Sequence, residues 1–104
     1  HGGRQLDGAR SPFDQLADIV DAVGDRVDVI CEGGIQRGTH MLKALSLGAK
    51  ACAGGRLYLY ALAAAGQIGV EKALSIYKTE LERDMKLMGC KKISDLSKNN
   101  IKFK

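Results

Sequence analysis

Two short apolar runs, Val27 to Cys31 and Ala49 to Ala53, each end in a glycine-rich turn, and a helical pattern follows each turn. A further helix precedes the first run, so the order reads helix, strand, helix, strand, helix. Strands that alternate with helices in this way run parallel and are joined by helical crossovers. Two parallel strands do not make a stable sheet alone: both edges stay unpaired, and the inner helix faces lack a partner. The chain is therefore expected to be part of a larger αβ sheet or barrel. A (β/α)8 barrel takes about 250 residues, and this chain could supply about a quarter of its strands.

Local signals set the helices. Ser11 is a helix cap, Pro12 suits the first helical position, and Asp14 adds a carboxylate to the first turn. Phe13, Leu16, Ile19, Val20 and Val23 recur at three- and four-residue spacing as one apolar stripe, and Gly24 ends it. The second helix begins at Gly38 or Thr39, turns Met41, Leu42, Leu45 and Leu47 inward, and stops at Gly48. His40, in its first turn, reads as a surface or packing residue. After the second strand, residues 57–65 form a short apolar helix that Gly66 breaks. A long helix then runs from about Gly69 to Met88, with Val70, Ala73, Leu74, Tyr77, Leu81, Met85 and Met88 as its stripe. Ser94-Asp95-Leu96 adds one turn. The small residues of Ala49 to Ala53 fit a strand covered on both faces.

Composition excludes several classes. No run approaches the ~18 apolar residues of a membrane-spanning helix, and no signal peptide is visible. The net charge is +4, but residues 1–90 balance 11 basic against 11 acidic side chains. The excess lies in the last fourteen residues, with five lysines and only Asp95 in opposition. The end of that stretch, the basic tail of residues 98–104, reads as a solvated terminus; loose contact with a membrane surface is open but not favoured. No arginine–aromatic interleaving points to nucleic acid. Three cysteines without CxxC spacing argue against zinc or dithiol chemistry, no metal site is expected, and a reducing, cytoplasmic setting fits. The first residue is His1 rather than Met, as in a chain that is processed, trimmed or a piece of something longer.

The chemistry concentrates at the two turns. Glu32-Gly33-Gly34-Ile35-Gln36-Arg37-Gly38 and Gly54-Gly55-Arg56 each join a strand end to a helix start. Glycine lets an anion approach the main chain, and helix-start amides point outward to meet it. Two such turns on adjacent strands, each with an arginine, suggest one phosphate held by both. At the amino end, His1-Gly2-Gly3-Arg4 pairs the side chain best suited to move a proton near neutrality with one suited to clamp a carboxylate. On their own, a histidine and an arginine in a terminal loop carry little weight.

These residues together resemble the FMN-dependent α-hydroxy acid dehydrogenases and oxidases, the lactate-, glycolate- and mandelate-oxidising flavoproteins. His1-Gly2-Gly3-Arg4-Gln5-Leu6-Asp7-Gly8 is similar to their catalytic loop. The stretch Val29 to Ala49, the turn Gly55-Arg56 and the helix ending in Met88-Gly89-Cys90 are similar to segments that follow it. The likeness covers residues 1–97 without a large gap. It implies an α/β fold in which the chain is the C-terminal part of a (β/α)8 TIM barrel, about strands seven and eight with their helices. It implies His1 as the catalytic base, and His1 with Arg4 as the substrate-binding pair. By the same resemblance Glu32, Gly33, Gly34, Gln36, Arg37, Gly55 and Arg56 hold FMN, chiefly at its phosphate and ribityl chain. The substrate implied is a small, L-lactate-like 2-hydroxy acid.

Three positions depart from the family pattern. Glu32 stands where the family usually has Asp, Gln36 where it usually has Arg, and Leu57 where it often has Pro. Loss of a cation at Gln36 is expected to weaken FMN binding by about 1–3 kcal/mol. The partners expected are the remaining barrel segments and further copies of the same chain, and the 104 residues alone are expected to be inactive. Two other readings stay open: another FMN barrel such as a flavin-dependent isomerase, and a non-catalytic half-barrel that binds a phosphate ligand or self-associates.

Overall fold

A computed structural model describes residues 5–102. Helix α1 (Pro12–Val23) starts as its sequence dictates: the Ser11 hydroxyl accepts the Asp14 amide at 3.1 Å, and Gly24 closes the last turn. Its buried stripe is narrower than expected. Leu16 is buried, Phe13 and Val20 are partly covered, and Ile19 is exposed.

Strands β1 (Ile30–Glu32) and β2 (Ala51–Ala53) form a two-stranded parallel sheet with Cys31 opposite Cys52. Both begin later than the apolar runs that announce them. The amides of Arg26 and Val27 both donate to the Val23 carbonyl, so Val27 lies in the turn that leaves α1. Ala49 is likewise taken up by its neighbour: its amide donates to Ala44 O at 3.1 Å and closes the next helix. The Lys50 amide then reaches Val29 O at 2.8 Å, just ahead of the ladder.

Helix α2 (Gly38–Ser46) connects the strands, and Gly48 at φ +105 turns the chain back into β2. Helix α3 (Arg56–Leu87) is two helical segments joined at a kink. Ala65 is non-helical there, and Gly66 adopts φ +59, the left-handed region glycine tolerates. The break expected at Gly66 is thus present, between two helical segments. Short 3-10 turns follow at Ile93–Asp95 and Lys98–Asn100. The start of the basic tail is not simply solvated: Ile101 packs on the core, and Lys98 pairs with Asp21 on α1.

Two apolar clusters hold these elements, and α2 contributes to both. Leu16, Cys31, Ile35, Ala44, Leu47 and Ala49 fill the space between α1, the sheet and α2. Leu42 joins Met85, Cys90 and Leu96 on the other side, fastening α2 to the end of α3. Truncation of a side chain as enclosed as Leu47 costs about 2–5 kcal/mol.

The sheet is covered on one face only. Cys31 is 3% exposed beneath the helices, whereas Ile30, its neighbour on the opposite face, is 63% exposed. Ala51 and Ala53 share that open face, contrary to the expectation of a strand covered on both sides. Several apolar residues of α3 are exposed as well, among them Tyr60, Ile68 and Leu74, the last a member of the apolar stripe of the long helix.

Candidate anion-binding site

The carboxyl ends of β1 and β2 lie side by side, with Glu32 opposite Ala53 in the register. The two glycine turns leave from these ends and open on one cavity of about 540 Å³. Its wall includes Glu32, Gly33, Gly34, Gln36, Gly55 and Arg56 from the turns expected to act together. His40 and Lys43 on α2 line it too, and the segment from Ala9 to Phe13 closes one side.

Glycine is required at the first turn for two different reasons. Gly33 has φ +110, and a Cβ there would lie 2.8 Å from Pro12 Cγ, so its space is taken by the start of α1. Gly34 has φ +74, but a Cβ there would meet nothing within 4 Å. The space beside Gly34 belongs to the cavity, which leaves the main chain open to a ligand.

The two helix starts differ in what they offer an anion. At α2 the positive end is already occupied: the Gly38 amide donates to Glu80 Oε2 at 2.8 Å. Arg37 closes on the same carboxylate, through Nε at 2.8 Å and Nη2 at 2.7 Å. Arg37 is therefore a clamp between α2 and α3 and does not line the cavity, a correction to its expected place among the cofactor contacts. It follows Gln36 in extended backbone, φ −143, where successive side chains point opposite ways. The paired guanidinium and the Gly38 amide hold the Glu80 carboxyl below the usual carboxylate range. Thr39 Oγ1 donates to Asp84 Oδ2 at 2.6 Å and lowers that carboxyl too.

At α3 the start is free of such a cap. Gly55 is the N-cap residue and supplies no side chain, so the first amides of Arg56 and Leu57 face the turn with the positive end of the helix behind them. Arg56 and Lys43 bring full charges to the same cavity, and among the described residues neither has a carboxylate partner. Arg10, also in the wall, is committed to Asp18 at 2.7 Å. The glycine main chain, an uncapped helix start and two cations fit a phosphate monoester. Glu32, an acceptor at the rim, fits the hydroxyl groups of a polyol rather than the phosphate.

Lys43 and His40 are the wall residues that sequence reasoning missed. The signal was their position: His40 and Lys43 are three apart in α2, hence on one face, the one that follows the glycine turn. The imidazole Nδ1 of His40 accepts the Gln36 amide at 3.2 Å, which ties the helix to the turn. His1 and Arg4 lie outside the described residues. Among the described residues no cluster of His, Cys, Asp or Glu could hold a metal ion, and no helix is long and apolar enough to cross a membrane.

Comparison with known proteins places the chain by family and fold. The family model described as FMN-dependent dehydrogenase matches residues 1–103. An L-lactate oxidase of Nostoc is 47% identical over 96 residues, covering 92% of this chain and 26% of that protein. The L-lactate dehydrogenase (cytochrome) of Wickerhamomyces anomalus is 44% identical, covering 93% of this chain and 18% of that protein. The solved structure of a soluble mutant of the membrane-associated (S)-mandelate dehydrogenase from Pseudomonas putida superposes on all of this chain with a TM-score of 0.91 at 41% identity, using 29% of its own length. The chain thus spans about a quarter of the length of most relatives it matches.

Proposed function

The chain belongs to the FMN-dependent dehydrogenase family, and from that premise we propose that it carries the FMN-phosphate site and the acid–base loop of an enzyme that oxidises a 2-hydroxy acid to the 2-oxo acid. Its two βα units are part of a (β/α)8 barrel, whose active sites lie at the carboxyl ends of the strands. One observation carries the reading: the turns at both strand ends open on a single cavity that also receives the side chains of Lys43 and Arg56.

FMN, when bound, supplies the two-electron chemistry. The chain's own residues bind and orient. Gly33, Gly34 and the uncapped start of α3 offer main-chain approach, Arg56 and Lys43 balance the phosphate charge, and Glu32 accepts from ribityl hydroxyls. Gln36, uncharged, adds its amide side chain to the rim. Arg4 clamps the substrate carboxylate with paired N–H donors, and the imidazole of His1 takes up the proton that the 2-hydroxy acid releases on oxidation. A small 2-hydroxy acid such as L-lactate is the substrate class, in keeping with the lactate-named relatives.

The exposed sheet face and the two unpaired strand edges support a reading of the partners as well. Further strands of the same barrel cover Ile30, Ala51 and Ala53, and copies of the assembled protein meet through apolar residues of α3 such as Tyr60 and Ile68. The test is spectroscopic. The protein as its gene encodes it is purified, its visible spectrum recorded, and L-lactate added without oxygen. A yellow flavin spectrum that bleaches supports the reading; protein of the encoded mass that takes up no flavin overturns it.

A further inference from the structure

We propose that His40 is a ligand of the cofactor phosphate, donating from Nε2, and that it makes the site select a phosphorylated flavin over an unphosphorylated one. The inference rests on the FMN reading above and names a residue that neither the glycine turns nor the arginines called for.

The hydrogen bond to Gln36 fixes the chemistry of the ring. Nδ1 accepts the Gln36 amide at 3.2 Å, so in the neutral imidazole the proton resides on Nε2. The acceptor end of the ring is used inside the turn, and the donor end remains. The ring is half-buried and lines the cavity, so the N–H it retains is offered there.

The other side chains of the first turn bring no free charge to the cavity. Arg37 is committed to Glu80 at 2.7 Å on the far side of α2, and Gln36 carries no charge. The α2 start, which could have supplied an amide, donates Gly38 N–H to the same Glu80. From the α2 side, the donors left to face an anion are the uncharged Gln36 side-chain amide, His40 and, one turn further along the same face as His40, Lys43. Arg56 and the uncapped start of α3 meet them from across the cavity. A phosphate seated between the two helices takes one N–H from His40 and charge from Lys43 and Arg56. A flavin without the phosphate has nothing for that N–H to meet.

The same bond to Gln36 could make His40 only a brace for the turn, and binding to two flavins separates the roles. Protein stripped of flavin is titrated with FMN and with riboflavin, followed by flavin fluorescence, for the wild type, His40→Ala and His40→Gln. The expected result is an FMN affinity about tenfold lower in His40→Ala, partly recovered in His40→Gln, which keeps an N–H donor, with riboflavin affinity unchanged. Equal losses for both flavins, or no loss for FMN, overturn the proposal and leave the FMN reading standing. A wild type that binds neither flavin overturns both. Should the variants not fold, the wild type answers directly by imidazole ¹⁵N spectra: the Nε2 signal of His40 moves on adding FMN but not riboflavin, and an unmoved signal overturns the proposal.

Discussion

The Gly38 amide donates to Glu80 Oε2 at 2.8 Å, and that bond sets how closely α2 and α3 cross. A Cβ on Gly38 would stand 2.5 Å from Glu80 Cβ and 2.6 Å from the Leu81 amide nitrogen, with Tyr77 O at 2.7 Å. Two of those three neighbours are backbone, so the helices themselves have to separate. Gly38→Ala is expected to destabilise the protein by about 1–3 kcal/mol, the range of an overpacked interface. Urea unfolding checks it: the midpoint falls at constant slope, and a midpoint equal to the wild type contradicts the close crossing.

Acid acts on the same crossing. The Glu80 carboxyl is held low chiefly by Arg37, with the Gly38 amide adding to it, and Asp84 is held low chiefly by Thr39. A group with a depressed folded-state pKa stabilises the fold above its unfolded value, and that stability disappears as pH falls through the folded one. Stability is therefore expected to be full near neutrality and to decline once pH drops below about 4, the ordinary carboxylate range. Glu80→Gln shortens the decline, because one of the two linked protons is gone. An acid limb of unchanged steepness in Glu80→Gln speaks against the linkage. Thr39→Val removes the donor to Asp84 and costs about 1–2 kcal/mol at neutral pH.

The paired glycines of the first turn separate folding from binding. Gly33→Ala meets both a positive φ and Pro12 at 2.8 Å, whereas Gly34→Ala meets only the positive φ. Gly34→Ala is expected to cost about 1–2 kcal/mol of stability and to lower FMN affinity about tenfold, since its methyl group enters the space where a ligand approaches the main chain. Gly33→Ala is expected to lose more stability than Gly34→Ala. Thermal melts of the flavin-free variants order the stabilities, and FMN titration of the folded ones measures the affinity. A reversed order of melting temperatures contradicts the placement of the two residues.

What could be read in the sequence was what adjacent residues decide. Ser11 and Pro12 start α1, Gly24 ends it, and Gly66 bends α3, because each acts through its own backbone or the next turn. The two glycine turns at the strand ends were legible for the same reason. Strand limits were not: Val27 is apolar and precedes the strand, but two amides folding back on Val23 put it in a turn. Arg37 was misplaced because its partner, Glu80, lies 43 residues away and no local pattern announces it. His40 and Lys43 looked like ordinary helix residues until the cavity showed which face they occupy. Ile30, in the first apolar run, and Leu74, in the apolar stripe of the long helix, stand 63% and 54% exposed, as apolar residues do when the layer that covers them lies beyond these two βα units.

The cysteines report on the integrity of the helical layer that does cover the sheet. Cys31 and Cys52 face each other in register beneath the helices, and burial raises both thiols, with Cys52 pushed up to about 11. The thiolate is the reactive form, so at about pH 8 only about one Cys52 thiol in a thousand is ionised. The folded protein is therefore expected to react with iodoacetamide at Cys52 at least tenfold more slowly than the urea-unfolded chain, whose thiols titrate near their ordinary value. Mass spectrometry of peptides after timed labelling gives the rates residue by residue. Slow labelling of both Cys31 and Cys52 means that the helices stay closed on the sheet; Cys52 labelled as fast as in urea means that α2 does not cover it in solution.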